Sequence, residues 1–168
     1  MKLLSPSDCS AWLRSEEYFE SPYERSESNY TSYLQFAVPK NDEAVPIIVD
    51  GIRSYLEPLR TCLFQVTDWS RYEALENSIL EEMESTCSGK LKPWDGFGLL
   101  FEASEADEMF GCCARALRCG MSAYIYIPLR ATFLLWEGDL VDVWANRSAV
   151  LNQFIQRLRH EQFRITSG

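Results

Sequence analysis

Only one imidazole is available for chemistry in this chain, His160. It lies two residues past Leu158 on an amphipathic segment, about 200° around a helix from that apolar position, so it should point to solvent. Arg157, Arg159 and Arg164 surround it. A hydroxyl or thiol nucleophile needs a base within reach, and none is written nearby. The chain has no GxSxG, HExxH or CxxC spacing. No catalytic residue is assigned from the sequence.

The six cysteines, Cys9, Cys62, Cys87, Cys112, Cys113 and Cys119, are irregularly spaced. Zinc asks for four ligands, commonly in paired motifs. Cys112 and Cys113 are vicinal, and neighbours on a helix diverge by about 100°. They read as small buried thiols, reduced and apolar. No metal and no cofactor is expected. The glycine pair Gly96-x-Gly98 precedes a strand and does not open a helix, so no phosphate cradle is expected either.

Carboxylates are the remaining reactive groups. Asp139 and Asp142 flank a hairpin, Asp68 follows the second strand, and Glu102, Glu105, Asp107 and Glu108 follow the third. Paired carboxylates can hydrolyse glycosides or hold a divalent metal. In α/β sheets ligands gather beyond the carboxyl ends of strands, where several of these sit. The same residues also cap helices and complement the helix dipole. A carboxylate-based hydrolase is therefore the alternative reading.

The elements that must position these groups alternate. Ser5-Pro6 opens a helix that carries Cys9, Trp12 and Leu13 inward and stops near Phe19. Residues 15–30 hold Pro22, many Ser, Glu and Tyr, and no aliphatic side chain, which predicts a flexible acidic segment. Residues 31–38 alternate as a strand, with Leu34, Phe36 and Val38 on one side and Tyr33, Gln35 and Ala37 on the other. Helix 43–57 follows, capped by Asn41 or Asp42. Then come strand 61–67, a long helix 69–86 with a glutamate-rich outer face, a loop LKPWDG, strand 97–102 and helix 104–119 ended by Gly120. Strands 122–127, 131–136 and 140–145 follow, with Glu137-Gly138-Asp139 as a tight turn. The last helix is 147–163.

Alternation of this kind predicts one α/β sandwich over residues 1–168. Its sheet is mixed, with five or six strands, parallel crossovers first and an antiparallel meander near the C-terminus. Phe133, Leu135, Val141, Val143, Trp136 and Trp144 make the final hairpin an apolar ribbon. If one face of it stays uncovered by helices, it supports a self-associating subunit or homodimer.

Charge narrows the partners. The net charge is −9 in 168 residues. Residues 1–112 carry 9 Lys and Arg against 21 Asp and Glu, while residues 113–168 carry 7 against 4. Phosphate backbones repel such a protein, so no nucleic-acid partner is expected. The start MKLLSPSD is too short for a signal-peptide core, and no run reaches the length of a membrane span. The expected compartment is the cytoplasm, with no membrane partner.

What remains is protein binding. Tyr18, Tyr23 and Tyr30 stand among carboxylates such as Glu24, and Trp94 and Asp95 occupy a turn. Tyr supplies contact area and Glu supplies steering toward a basic surface. With Glu102 and Glu105 these residues form the expected partner-binding set. In size, charge and lack of catalytic residues the chain is similar to small acidic intracellular inhibitors, such as the immunity and antitoxin proteins that block basic toxins. That resemblance implies a non-catalytic binder of a basic protein.

Overall fold

Strong period-two alternation in the later strands sets the architecture, because every strand must offer one apolar face to the same layer of helices. The computed structural model describes residues 1–18, 23, 30–41, 43–56, 61–68, 98–146 and 148–167. In chain order the elements are β1 (Lys2–Leu4), α1 (Pro6–Ser15), β2 (Ser32–Ala37), α2 (Ala44–Leu56), β3 (Thr61–Asp68) and β4 (Gly98–Glu102). A 3₁₀ turn (Ala103–Glu105) leads into α3 (Ala106–Cys119). Then follow β5 (Ser122–Ile127), β6 (Ala131–Trp136), β7 (Leu140–Ala145), α4 (Ser148–His160) and β8 (Ile165–Ser167). The expected helix 69–86 and the LKPWDG loop lie outside the described residues.

Local chemistry explains the boundaries. The Ser5 hydroxyl accepts the Asp8 N–H at 3.2 Å, and the Asp8 carboxylate accepts the Ser5 N–H at 3.3 Å. This reciprocal cap starts α1, with Pro6 at the first position where a missing N–H costs little. The hydrogen bonds from Ser5 hold the Asp8 carboxyl below its usual range. Asn41 Oδ1 accepts the Ala44 N–H at 2.9 Å and starts α2. Gly120, at φ 71°, takes the left-handed conformation that ends α3.

The sheet corrects the expected topology. Its strand order is β1-β4-β3-β5-β6-β7-β2-β8, eight strands among the described residues. Every adjacent pair is antiparallel, so the expected mixed sheet of five or six strands with parallel crossovers does not hold. The reason is visible in the order. β2 and β3, joined through α2, do run in the same direction, and so do β4 and β5, joined through α3. But β5, β6 and β7 stand between the first pair, and β3 stands between the second. A helical crossover fixes the direction of the next strand and leaves its slot open. The two extra strands, β1 and β8, have three residues each and occupy the two edges.

The front face of the sheet is apolar and roofed by α2, α3 and α4. Leu34, Phe36, Cys62, Phe64, Phe101, Ile125, Phe133 and Val143 from the strands meet Ile48, Ile52, Met109, Cys113, Phe154 and Leu158 from the helices. Phe36 packs edge-on against both Phe154 and Phe163. Gly51 lets α2 and α4 close up: a Cβ there would sit 2.2 Å from the Phe154 ring. Burial pushes the Cys62 and Cys113 thiols well up, which leaves them inert. The five described cysteines are free thiols, four of them buried.

His160, the last residue of α4, is exposed. Among the described residues no helix is long and apolar enough to cross a membrane, and no three His, Cys, Asp or Glu side chains are placed together to hold a metal ion.

Candidate functional site

On the back face the same strands present a different chemistry. At the β1 edge, Leu4, Cys9 and Leu13 from β1 and α1 cover Leu63 and Tyr126. Toward the β2 edge no helix of the described residues packs, and single side chains close the surface.

The centre of that region is Asp142, fully buried in the middle of β7. Alternation along β7 sends Val141 and Val143 forward and Asp142 and Trp144 backward. Gln35 lies directly opposite Asp142 on β2, and Tyr33 lies two residues along. Three donors converge on the carboxylate. The Tyr23 and Tyr33 hydroxyls each donate at 2.6 Å, and Gln35 Nε2 donates at 2.8 Å. Such a set offsets the desolvation of a buried carboxylate. Gln35 Oε1 then accepts the Thr166 hydroxyl at 2.7 Å, which ties β8 into the network. The Tyr23 ring stands edge-on to Trp144 with centroids 4.9 Å apart, and Tyr33 lies tilted on it at 5.5 Å.

Two further tyrosines seal the Ile127–Ala131 end of the β5–β6 hairpin. The Tyr18 hydroxyl donates to the Ile127 carbonyl at 2.6 Å, and its ring sits between Tyr30 and Tyr126. The Tyr30 hydroxyl bonds the buried Thr132 hydroxyl. Burial pushes the Tyr18 phenol well above the ordinary tyrosine range, and the neighbouring Tyr30 adds to it. Burial does the same to Tyr23, reinforced by its hydrogen bond to Asp142.

Among the described residues, the opposite end of that hairpin is open. Thr67, Ser122, Tyr124, Leu134, Trp136 and Glu137 line a groove of about 280 Å³. Trp136 is 45% exposed there. Two backbone irregularities border the groove. β3 bulges between Val66 and Asp68, where its pairing with β5 shifts register. Glu137 and Gly138 both take positive φ, 49° and 68°, in the turn that the Asp139 N–H closes onto the Trp136 carbonyl at 2.9 Å.

The expected partner-binding residues thus divide. Tyr18, Tyr23 and Tyr30 come together on the back face, with Tyr18 and Tyr30 directing their hydroxyls into the sheet. Tyr23 remains 51% exposed. Glu102 and Glu105 lie beyond β3, at the end of β4. Glu105 accepts the Glu102 N–H at 2.9 Å and pairs with the N-terminal ammonium of Met1. Glu24, Trp94 and Asp95 fall outside the described residues.

The other carboxylates are spread apart. Asp139 pairs with Lys40, Asp50 with Arg157 at 3.0 Å and Asp107 with Arg53 at 3.5 Å. Sequence reasoning placed Asp142 beside the hairpin without finding its donors. The signal was a lone carboxylate on a strand, LVDVWA, whose neighbours are apolar. Tyr124 and Glu137 were not singled out, and nothing short of the three-dimensional pairing brings them together. Scanned against protein-family models, curated proteins and solved structures, the chain matches none.

Proposed function

We propose that this chain is a non-catalytic protein-binding module of the cytoplasm, of the immunity or inhibitor type, that holds a basic partner protein. The observation that supports it most is the groove beside Trp136. It combines a half-exposed indole, an apolar floor and a carboxylate residue on one rim. Large aromatics near partly desolvated ground are the usual anchors of protein interfaces. At about 280 Å³ the groove falls just below the roughly 300–1,000 Å³ of sites that enclose a drug-sized ligand or cofactor. The net charge of −9 favours a partner of opposite sign and speeds its approach.

The candidate carboxylates are dispersed, with Asp139 on Lys40, Asp107 on Arg53, Glu105 on the Met1 ammonium and Asp142 among its own donors, which gives the hydrolase alternative no comparable support. The test is affinity capture from the native host at low and high ionic strength. A basic protein retained at low salt and released at high salt is the expected result. Recovery of the bait alone, or retention indifferent to salt, would remove the reading.

A further inference from the structure

The groove itself indicates what part of a basic partner it would take. We propose that it receives a single arginine side chain, with the guanidinium lying against Trp136 and pairing with Glu137. This rests on the reading of the chain as a binder of a basic protein and adds the chemistry of the contact. Three observations carry it. First, the lining is mainly aromatic and aliphatic, with Tyr124, Leu134 and Trp136 beside Thr67 and Ser122. An arginine stem needs apolar walls and its planar head favours an aromatic face.

Second, Glu137 makes no ion pair with any described residue. The nearby cation Lys40 is already engaged by Asp139, two residues further along the same turn. A carboxylate with no cation among the described residues, beside a half-exposed indole on the same groove, complements a guanidinium.

Third, Glu137 occupies a backbone position that its residue type does not favour. At φ 49° in the three-residue loop between the paired Trp136 and Leu140, Asn, Asp or Gly is the easier choice. Strain of this kind concentrates where a side chain has work beyond the fold. The adjacent bulge in β3 is the second irregularity at the same corner.

The experiment is a titration of the ¹⁵N-labelled protein with three short peptides that alternate glycine with arginine, lysine or citrulline. The Trp136 indole resonance is assigned by Trp136→Phe. The arginine peptide should move the Trp136 indole signal, the lysine peptide should bind more weakly, and the neutral citrulline peptide should not bind. Glu137→Gln should weaken the arginine peptide roughly three- to tenfold with the remaining spectrum unchanged, which shows that the variant is folded. If the arginine peptide binds with the indole signal unmoved, or equally well to Glu137→Gln, the groove assignment is overturned while the basic-partner reading stands. Equal binding of arginine and lysine peptides would overturn the choice of arginine. If neither cationic peptide binds at low salt, the groove assignment is overturned, while the basic-partner reading stands or falls on the affinity capture.

Discussion

The two faces of this sheet come from the same strands and are closed in different ways. On the front, three amphipathic helices bring ready-made apolar stripes, so Phe36, Phe64 and Phe133 are buried without any polar partner. On the back, beyond α1, a segment without aliphatic residues supplies Tyr23 and Tyr30, and each must satisfy a hydroxyl as it covers the surface. The front is held by non-directional burial and tolerates no loss of volume. The back is held by a few directed bonds around Asp142 and ends at an uncovered indole. A surface closed by single side chains can stop anywhere, and where it stops a groove is left.

The largest expected effect tests the front. Phe36→Ala should lower stability by about 3–5 kcal/mol, since it empties a site walled by Phe154 and Phe163. Urea denaturation followed by fluorescence reads it. Next comes the centre of the back. Asp142→Ala strips the shared acceptor from Tyr23, Tyr33 and Gln35, and should cost about 2–3 kcal/mol. A loss well under 1 kcal/mol would mean that the network is decorative and the contrast between the faces is wrong.

Tyr23→Phe removes one bond from a half-exposed ring and should cost about 0.5–1.5 kcal/mol. It also carries a pH signature. The Tyr18 and Tyr23 phenols titrate higher in the folded protein than in the unfolded chain, where tyrosine has a pKa of about 10. The stability gained by keeping them neutral is therefore complete below about pH 10 and is lost as the pH climbs through the folded values. Tyr23→Phe should make that alkaline decline shallower, as measured by urea midpoints taken from pH 8 upward. The smallest effect belongs to the groove. Trp136→Ala should change stability by within about 0.5–1 kcal/mol, because the indole is 45% exposed. A larger loss would make Trp136 a structural residue and weaken its role as an anchor.

Much of the element map was legible in the sequence. The ranges 122–127, 131–136 and 140–145 were read as strands and stand as such, because their alternation is strong and their turns carry Pro128 and Gly138. Gly120 ended a helix as expected. The strand order was not legible. β-α-β alternation carries direction, and adjacency depends on which strand later fills the gap, here β3 between β4 and β5. β1 and β8 were missed because three residues show no period. The site was legible in its parts only. The tyrosines of the acidic segment drew attention by composition, yet their destinations, Ile127 for Tyr18, Asp142 for Tyr23 and Thr132 for Tyr30, each lie more than a hundred residues downstream.

The register of β2 has a consequence for the birth of the protein. Leu34 pairs with Val143, and Ser32 with Ala145. A ribosome adding about 5–20 residues per second therefore leaves β2 without its neighbour for roughly 5–20 s after it has been made. Through that interval Leu34 and Phe36 have neither the β7 ladder nor the α4 roof that later buries them. The nascent chain thus carries an unpaired apolar strand while the hundred or so residues between β2 and β7 are made, and this stretch is where a chaperone would be most useful to it.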